Sequence, residues 1–150
     1  MNKIAIFFLL IFLDFISKLL IKNNLTLNQT IELNFYLNIV YIKNYGVSFG
    51  LLSGLVPHWF LIIIGLLVTF LIFYLMYFSK DKIERLAYFT IIIGAISNIL
   101  DRSINTYVVD FISLNYKSFY WPAFNFADIY ITIGIIMLII SFFKISEENK

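Results

Sequence analysis

The sequence predicts an all-α membrane protein: four transmembrane helices, with a small extracytoplasmic β-sheet between helices 1 and 2. Three observations carry that prediction. Hydrophobic residues make up 61% of the 150, and the mean hydropathy is +0.91, far above an ordinary soluble domain. Four apolar segments meet or approach the length that crosses roughly 30 Å of hydrocarbon at about 1.5 Å per residue. One stretch outside them alternates with a period of two.

The four segments are approximately 4–21, 58–78, 86–100 and 124–143, and together they make one integral membrane domain over residues 1–150. The first follows Lys3 and superficially resembles a secretory signal. It is too long for a signal h-region, contains Asp14 and Lys18, and lacks a small-x-small cleavage site, so it reads as a retained span. The second begins after Pro57 with His58. The third is short, so Asp101 must lie near its end. The loop "SKDKIER" (79–85) carries Lys80, Lys82 and Arg85, and Lys3 and Lys144 flank the outermost spans. By the positive-inside rule both termini and this loop are cytoplasmic, and connections 22–57 and 101–123 face outward. In "IELNFYLNIVY" (31–41), Ile31, Leu33, Phe35, Leu37, Ile39 and Tyr41 alternate with Glu32, Asn34, Tyr36 and Asn38, the signature of a half-buried strand. The stretch 46–57 is too short to span and is expected to lie along the interface.

Composition excludes several kinds of chemistry. With no cysteine there is no disulfide, thiolate nucleophile, iron–sulfur cluster or Cys-type zinc site. A single histidine leaves no multi-His metal site. A formal charge of +2 with no basic run argues against nucleic acid as a partner.

Ionisable residues inside spans are expensive and mark function by default. Here they gather toward the outer side. Asp14 and Lys18 are four apart on helix 1, a spacing that suits a stabilising i,i+4 pair as well as a site. Thr90, Gly94, Ser97/Asn98 and Asp101 recur at three- and four-residue steps on helix 3 and end at Asp101–Arg102. The Thr90–Gly94–Ser97 part reads as a close-packing seam, and Asp101 beside Arg102 as a local salt bridge or interfacial anchor. Helix 4 opens with Asn125, Asp128 and Thr132 on one face. Asp110 lies in the connection before it, in the apolar run "YVVDFI". Neither Asp110 nor Asp128 has a basic residue within four positions. If the connection folds one against the other, the two carboxyls hold one proton between them. One can then draw a proton from water while the other donates to a carbonyl oxygen, which is amide hydrolysis without a covalent intermediate.

The motifs resemble those of the lipoprotein signal peptidase (type II signal peptidase) family, in the family's order over nearly the whole chain. "DFISK" (14–18) is similar to its helix 1 Asp/Lys motif and "NYGVSF" (44–49) to its Asn-x-Gly loop. "GAISNILDR" (94–102) resembles its Asn-x-x-Asp-Arg block, and "VVDF" (108–111) and "PAFNFAD" (122–128) its two aspartate motifs. Departures are Ile93 and Ser97 where the family usually has glycine, and Val47 and Ser48 where alanine is commoner. The resemblance implies an intramembrane aspartyl endopeptidase with Asp110 and Asp128 as its catalytic pair. It implies that the substrate is a prolipoprotein, cut just before a cysteine that already carries diacylglycerol. It assigns supporting roles to Asp14, Lys18, Asn44, Gly94, Asn98, Asp101, Arg102 and Asn125. It implies no cofactor and no metal, membrane lipid and prolipoprotein as partners, a monomer, and a bacterial inner-membrane location with the site at the outer face.

Two rivals remain from the residues alone. Ser17 and Lys18 suggest a serine–lysine peptidase, but adjacent helical residues point about 100° apart. A small transporter or assembly subunit using outward-facing carboxylates would need polar groups through the inner half. Only isolated ones such as Thr69 and Ser141 occur there.

Overall fold

The computed structural model describes residues 2–47, 52–117 and 119–148, the last four by backbone alone. In chain order the elements are α1 (Lys3–Asn24), β1 (Thr30–Glu32), β2 (Leu37–Asn44), α2 (His58–Phe78), α3 (Lys82–Asn105), β3 (Val108–Tyr116), β4 (Phe119–Tyr120) and α4 (Phe126–Glu148). Among the described residues, four helices are long and apolar enough to cross a membrane.

Each helix starts where its chemistry permits. Asn2 accepts from Ile4 N–H at 3.3 Å to open α1, and Pro57, which has no N–H to lose, precedes α2. Asp81 Oδ1 caps α3 by accepting from Ile83 and Glu84 N–H, both at 2.8 Å. The third helix runs well past the 86–100 expected from hydropathy. Its last turns are polar, and protein rather than lipid surrounds Asp101 and Arg102. Thr106, in the left-handed region at φ 70°, ends it by donating its N–H to Arg102 O at 2.8 Å. The chain then turns directly into β3.

α3 is the centre of the bundle, packed against α1, α2 and α4. Small residues allow this. A Cβ at Gly94 would collide with Ala127 O and meet Ile131 Cγ1 at 2.7 Å, and one at Gly134 would meet Ala87 O at 2.7 Å. The α3–α4 seam is therefore a backbone-to-backbone approach of the kind that drives helix association in lipid. Ile93, beside Gly94, is fully buried. Thr90 turns its hydroxyl back to Leu86 O at 2.8 Å.

The sheet is larger than the sequence suggested. It has four antiparallel strands in the order β1–β2–β3–β4, and two of them come from the connection between α3 and α4. The alternating stretch 31–41 is not one strand. Asn34 Oδ1 accepts from Tyr36 N–H at 2.8 Å and Leu37 N–H at 3.0 Å, an Asx turn that splits it into β1 and β2. β2 pairs with β3 through Ile39↔Ile112 on one side of an irregularity and Ile42↔Asp110 on the other. Tyr41, Tyr107 and Val109 form a small core that packs on Ile21 and Leu25 at the end of α1. That contact ties the sheet to one end of the bundle. The stretch 46–57 expected along the interface lies in part outside the described residues, as do Ser48 and Phe49 of the loop motif.

Candidate active site

Asp128 is held first by its own helix. Asn125 Oδ1 accepts the Asp128 N–H at 3.1 Å, and Asp128 Oδ2 accepts the Asn125 N–H at 3.1 Å. This reciprocal capping box is why an amide and a carboxylate three apart open an apolar helix. It does not stand alone. The next N–H in that first turn, of Ala127, donates to Asp14 Oδ1 on α1 at 2.9 Å, so a carboxylate from another helix also caps α4. Gly94 lies against the same turn, and its lack of a side chain lets α3 approach the Ala127 carbonyl.

Asp110 is held from a distance. It sits on β3 rather than in a loop, between Val109 and Phe111, and all three are buried. Its Oδ1 accepts from Asn125 Nδ2 at 2.7 Å and its Oδ2 from Asn44 Nδ2 at 2.9 Å. Asn125 thus bridges the two acids, its side chain to Asp110 and its backbone to Asp128. Burial, and then the neighbouring Asp128, push the Asp110 carboxyl up to about 7 against the pull of the Asn44 and Asn125 amides.

The remaining candidate residues join the same network. Lys18, almost wholly buried, donates to Asp14 Oδ2 at 2.8 Å and Asn98 Oδ1 at 2.9 Å, and lies 3.6 Å from Asp101 Oδ2. Asn98 Nδ2 donates to Asp128 Oδ1 at 2.9 Å. Asp101 also accepts from Val109 N–H at 2.8 Å, which fixes β3 beside Asp110, and from Asn105 Nδ2 at 2.6 Å. The expected Asp101–Arg102 pair is replaced by longer-range partners. Adjacent residues diverge on a helix, so Asp101 turns to Lys18 while Arg102 Nη2 donates to Gly46 O in the loop after β2. Asn44 Oδ1 accepts from Gly46 N–H at 2.9 Å and shapes that loop. Ser17 donates to Asp14 O at 2.8 Å, away from Lys18.

The ten residues to which the resemblance gives a catalytic or supporting role therefore fall in one cluster where α1, α3, α4 and the sheet meet. Sequence reading missed the backbone groups of Ala127, Val109 and Gly46, which carry no residue-type signal. It also missed Asn105, whose only hint is its place four residues after Asp101. Ser97, buried in the α3 seam, has no hydrogen-bond partner for its hydroxyl. Among the described residues, no group of three or more His, Cys, Asp and Glu is placed to hold a metal. What the arrangement offers is a carboxyl pair, Asp110 buried and Asp128 half-buried, with each of its four oxygens already accepting one N–H. That leaves lone pairs and a proton available to a water molecule and an amide carbonyl.

Residues 6–144 match the family described as signal peptidase (SPase) II. A lipoprotein signal peptidase of Thermodesulfovibrio yellowstonii is 42% identical over 132 residues, covering 88% of each chain. One from Buchnera aphidicola is 38% identical over 140 residues, covering 91% of this chain and 90% of its own. A solved bacterial membrane enzyme superposes with a TM-score of 0.87 at 31% identity, over 99% of this chain and 91% of the other.

Proposed function

This chain belongs to the signal peptidase II family, and from that premise we propose that Asp110 and Asp128 are its catalytic pair. The family makes it a membrane protease acting on prolipoproteins, by an aspartyl mechanism. The bond cut is the one before the diacylglyceryl-modified cysteine.

The observation that carries the residue assignment is the pair itself: a buried carboxyl on β3 and a half-buried one on α4, bridged by Asn125 and supplied with one N–H per oxygen. A carboxylate takes a proton from water as its oxygen attacks the scissile carbonyl, and the neighbouring carboxylic acid gives its proton to the carbonyl oxygen. The gem-diol intermediate collapses when the first carboxyl gives its proton to the leaving amine and the second, now ionised, takes a proton back from a gem-diol hydroxyl. No acyl-enzyme forms. Gly94, Asn44, Asn98, Asn125, Asp14, Lys18, Asp101 and Arg102 hold the pair and its surrounding backbone. The enzyme works as a single monomeric domain embedded in lipid. Lys80 just before α3 and Lys82 and Arg85 in its first turn support a cytoplasmic place for that end of α3 and both termini. The site then lies at the outer face, at the depth where a lipid-modified cysteine presents its bond. Ser17 is occupied by the Asp14 carbonyl, which weighs against a serine–lysine mechanism.

The test is cleavage of a diacylglyceryl-modified prolipoprotein by the purified protein in detergent. Asp110→Asn and Asp128→Asn each lose roughly 10²- to 10⁴-fold in turnover, while Glu32→Gln, on exposed β1, keeps it. Chelator leaves the rate unchanged. Normal turnover by either Asp variant overturns the assignment.

A further inference from the structure

Three asparagines feed N–H donors to the carboxyl pair, and each amide is two-faced: what its oxygen accepts decides where its NH₂ points. Asn44 Oδ1 accepts the Gly46 N–H, so Nδ2 faces Asp110. Asn125 Oδ1 accepts the Asp128 N–H, so Nδ2 again faces Asp110. Both of these amides are fixed by backbone. Asn98 is different. Its oxygen accepts from the Lys18 ammonium at 2.9 Å, and its Nδ2 then faces Asp128 Oδ1 at 2.9 Å.

We propose that Lys18 is a positioning residue that decides which acid of the pair is ionised. By holding the Asn98 oxygen it forces the amide to donate to Asp128 and favours the Asp128 carboxylate; Asp110 accepts two amide N–H groups as well but is the more deeply buried acid, and the proton stays on it. This rests on the reading of Asp110 and Asp128 as the catalytic pair. An ammonium can only donate, so while Lys18 is in place Asn98 cannot turn its oxygen toward Asp128. Without Lys18 the amide is free to flip and accept an O–H from a neutral Asp128. The surroundings favour the same division. Asp128 lies in the first turn of α4, where the helix dipole stabilises an anion, and Asp110 lies on a strand flanked by buried apolar residues.

The other charged groups facing the pair do not make this distinction. Arg102 on α3 is in the field of Asp101, Asp110 and Asp128 together, and donates to the Gly46 carbonyl. Asp14 on α1 and Asp101 on α3 are engaged with Lys18 itself. α2 carries no Asp, Glu, Lys or Arg. The base that takes the proton from water is then Asp128, and the acid that protonates the carbonyl oxygen is Asp110.

The experiment is the pH profile of kcat/KM on the same lipid-modified substrate, with melting in detergent followed in parallel. In Lys18→Met, kcat falls about tenfold or more with KM within about twofold, and the acid limb of the profile moves up by about one pH unit. Asn98→Leu leaves the Asp14–Lys18 ion pair in place and moves the same limb, and the double variant moves it no further. A merely structural Lys18 predicts loss of activity in step with loss of folded protein and an unmoved limb, which overturns the proposal. If Lys18→Met does not fold, Asn98→Leu decides, since an unmoved limb there overturns it equally. Asp110→Asn and Asp128→Asn separate the two levels. Normal turnover by either sinks the catalytic pair itself, whereas two inactive Asp variants with unmoved limbs in Lys18→Met and Asn98→Leu sink the Lys18 assignment alone.

Discussion

Helices α2 and α3 pack side by side and are built on opposite rules. α2 is the most hydrophobic of the four spans and the least covered by protein, with Leu61 its one buried residue among those described. α3 is the least hydrophobic and the most covered, and it buries Gly94, Ser97, Asp101 and Arg102 along with its isoleucines. In water the apolar face turns inward; in lipid an apolar side chain loses nothing by facing out, and polar groups need protein around them. Low hydropathy in a span therefore marks the inside of this molecule, and the site grows where the least hydrophobic helix meets the sheet.

Substitutions on the two helices should separate sharply. Gly94→Val on α3 drives a side chain into the Ala127 carbonyl and Ile131, displacing the turn that carries Asp128. We expect a loss of about 3 kcal/mol or more in stability and of most activity, read by melting and turnover in detergent. Phe70→Leu on α2, at a position exposed to lipid, changes stability by less than about 0.5 kcal/mol and leaves turnover alone. Equal effects at the two positions would break the comparison.

The same contrast explains what the sequence could convey. Asn125 and Asp128 were legible as neighbours on one face of α4 because they are three residues apart, and their capping box is the local bond that spacing permits. The four helices were legible because length and hydropathy are summed over a whole segment. The connections between segments were not. Lys18 and Asn98 are 80 residues apart, and nothing in either residue announces that one orients the other. Asp101 and Arg102 looked like partners because they are adjacent, although a helix turns them apart. β3 was read as loop because Val108, Val109, Asp110 and Phe111 are all buried, which erases the alternation that marks a half-exposed strand. The family motifs named the ten candidate residues of the cluster but not Asn105, and left its wiring to be seen.

The central claim is that an acid pair with one member buried shares a proton at neutral pH, and the melting temperature of wild type and Asp110→Asn against pH in detergent tests it most directly. Burial and Asp128 raise the Asp110 carboxyl from 3.8 to about 7 in the folded protein. The folded state therefore holds a proton that the unfolded chain releases. That contribution to stability is complete below about pH 4 and is lost as pH rises through about 7. Wild type should fall relative to Asp110→Asn across that window, by about 4 kcal/mol between pH 4 and pH 8. Two curves that stay parallel from pH 4 to 8 would contradict it.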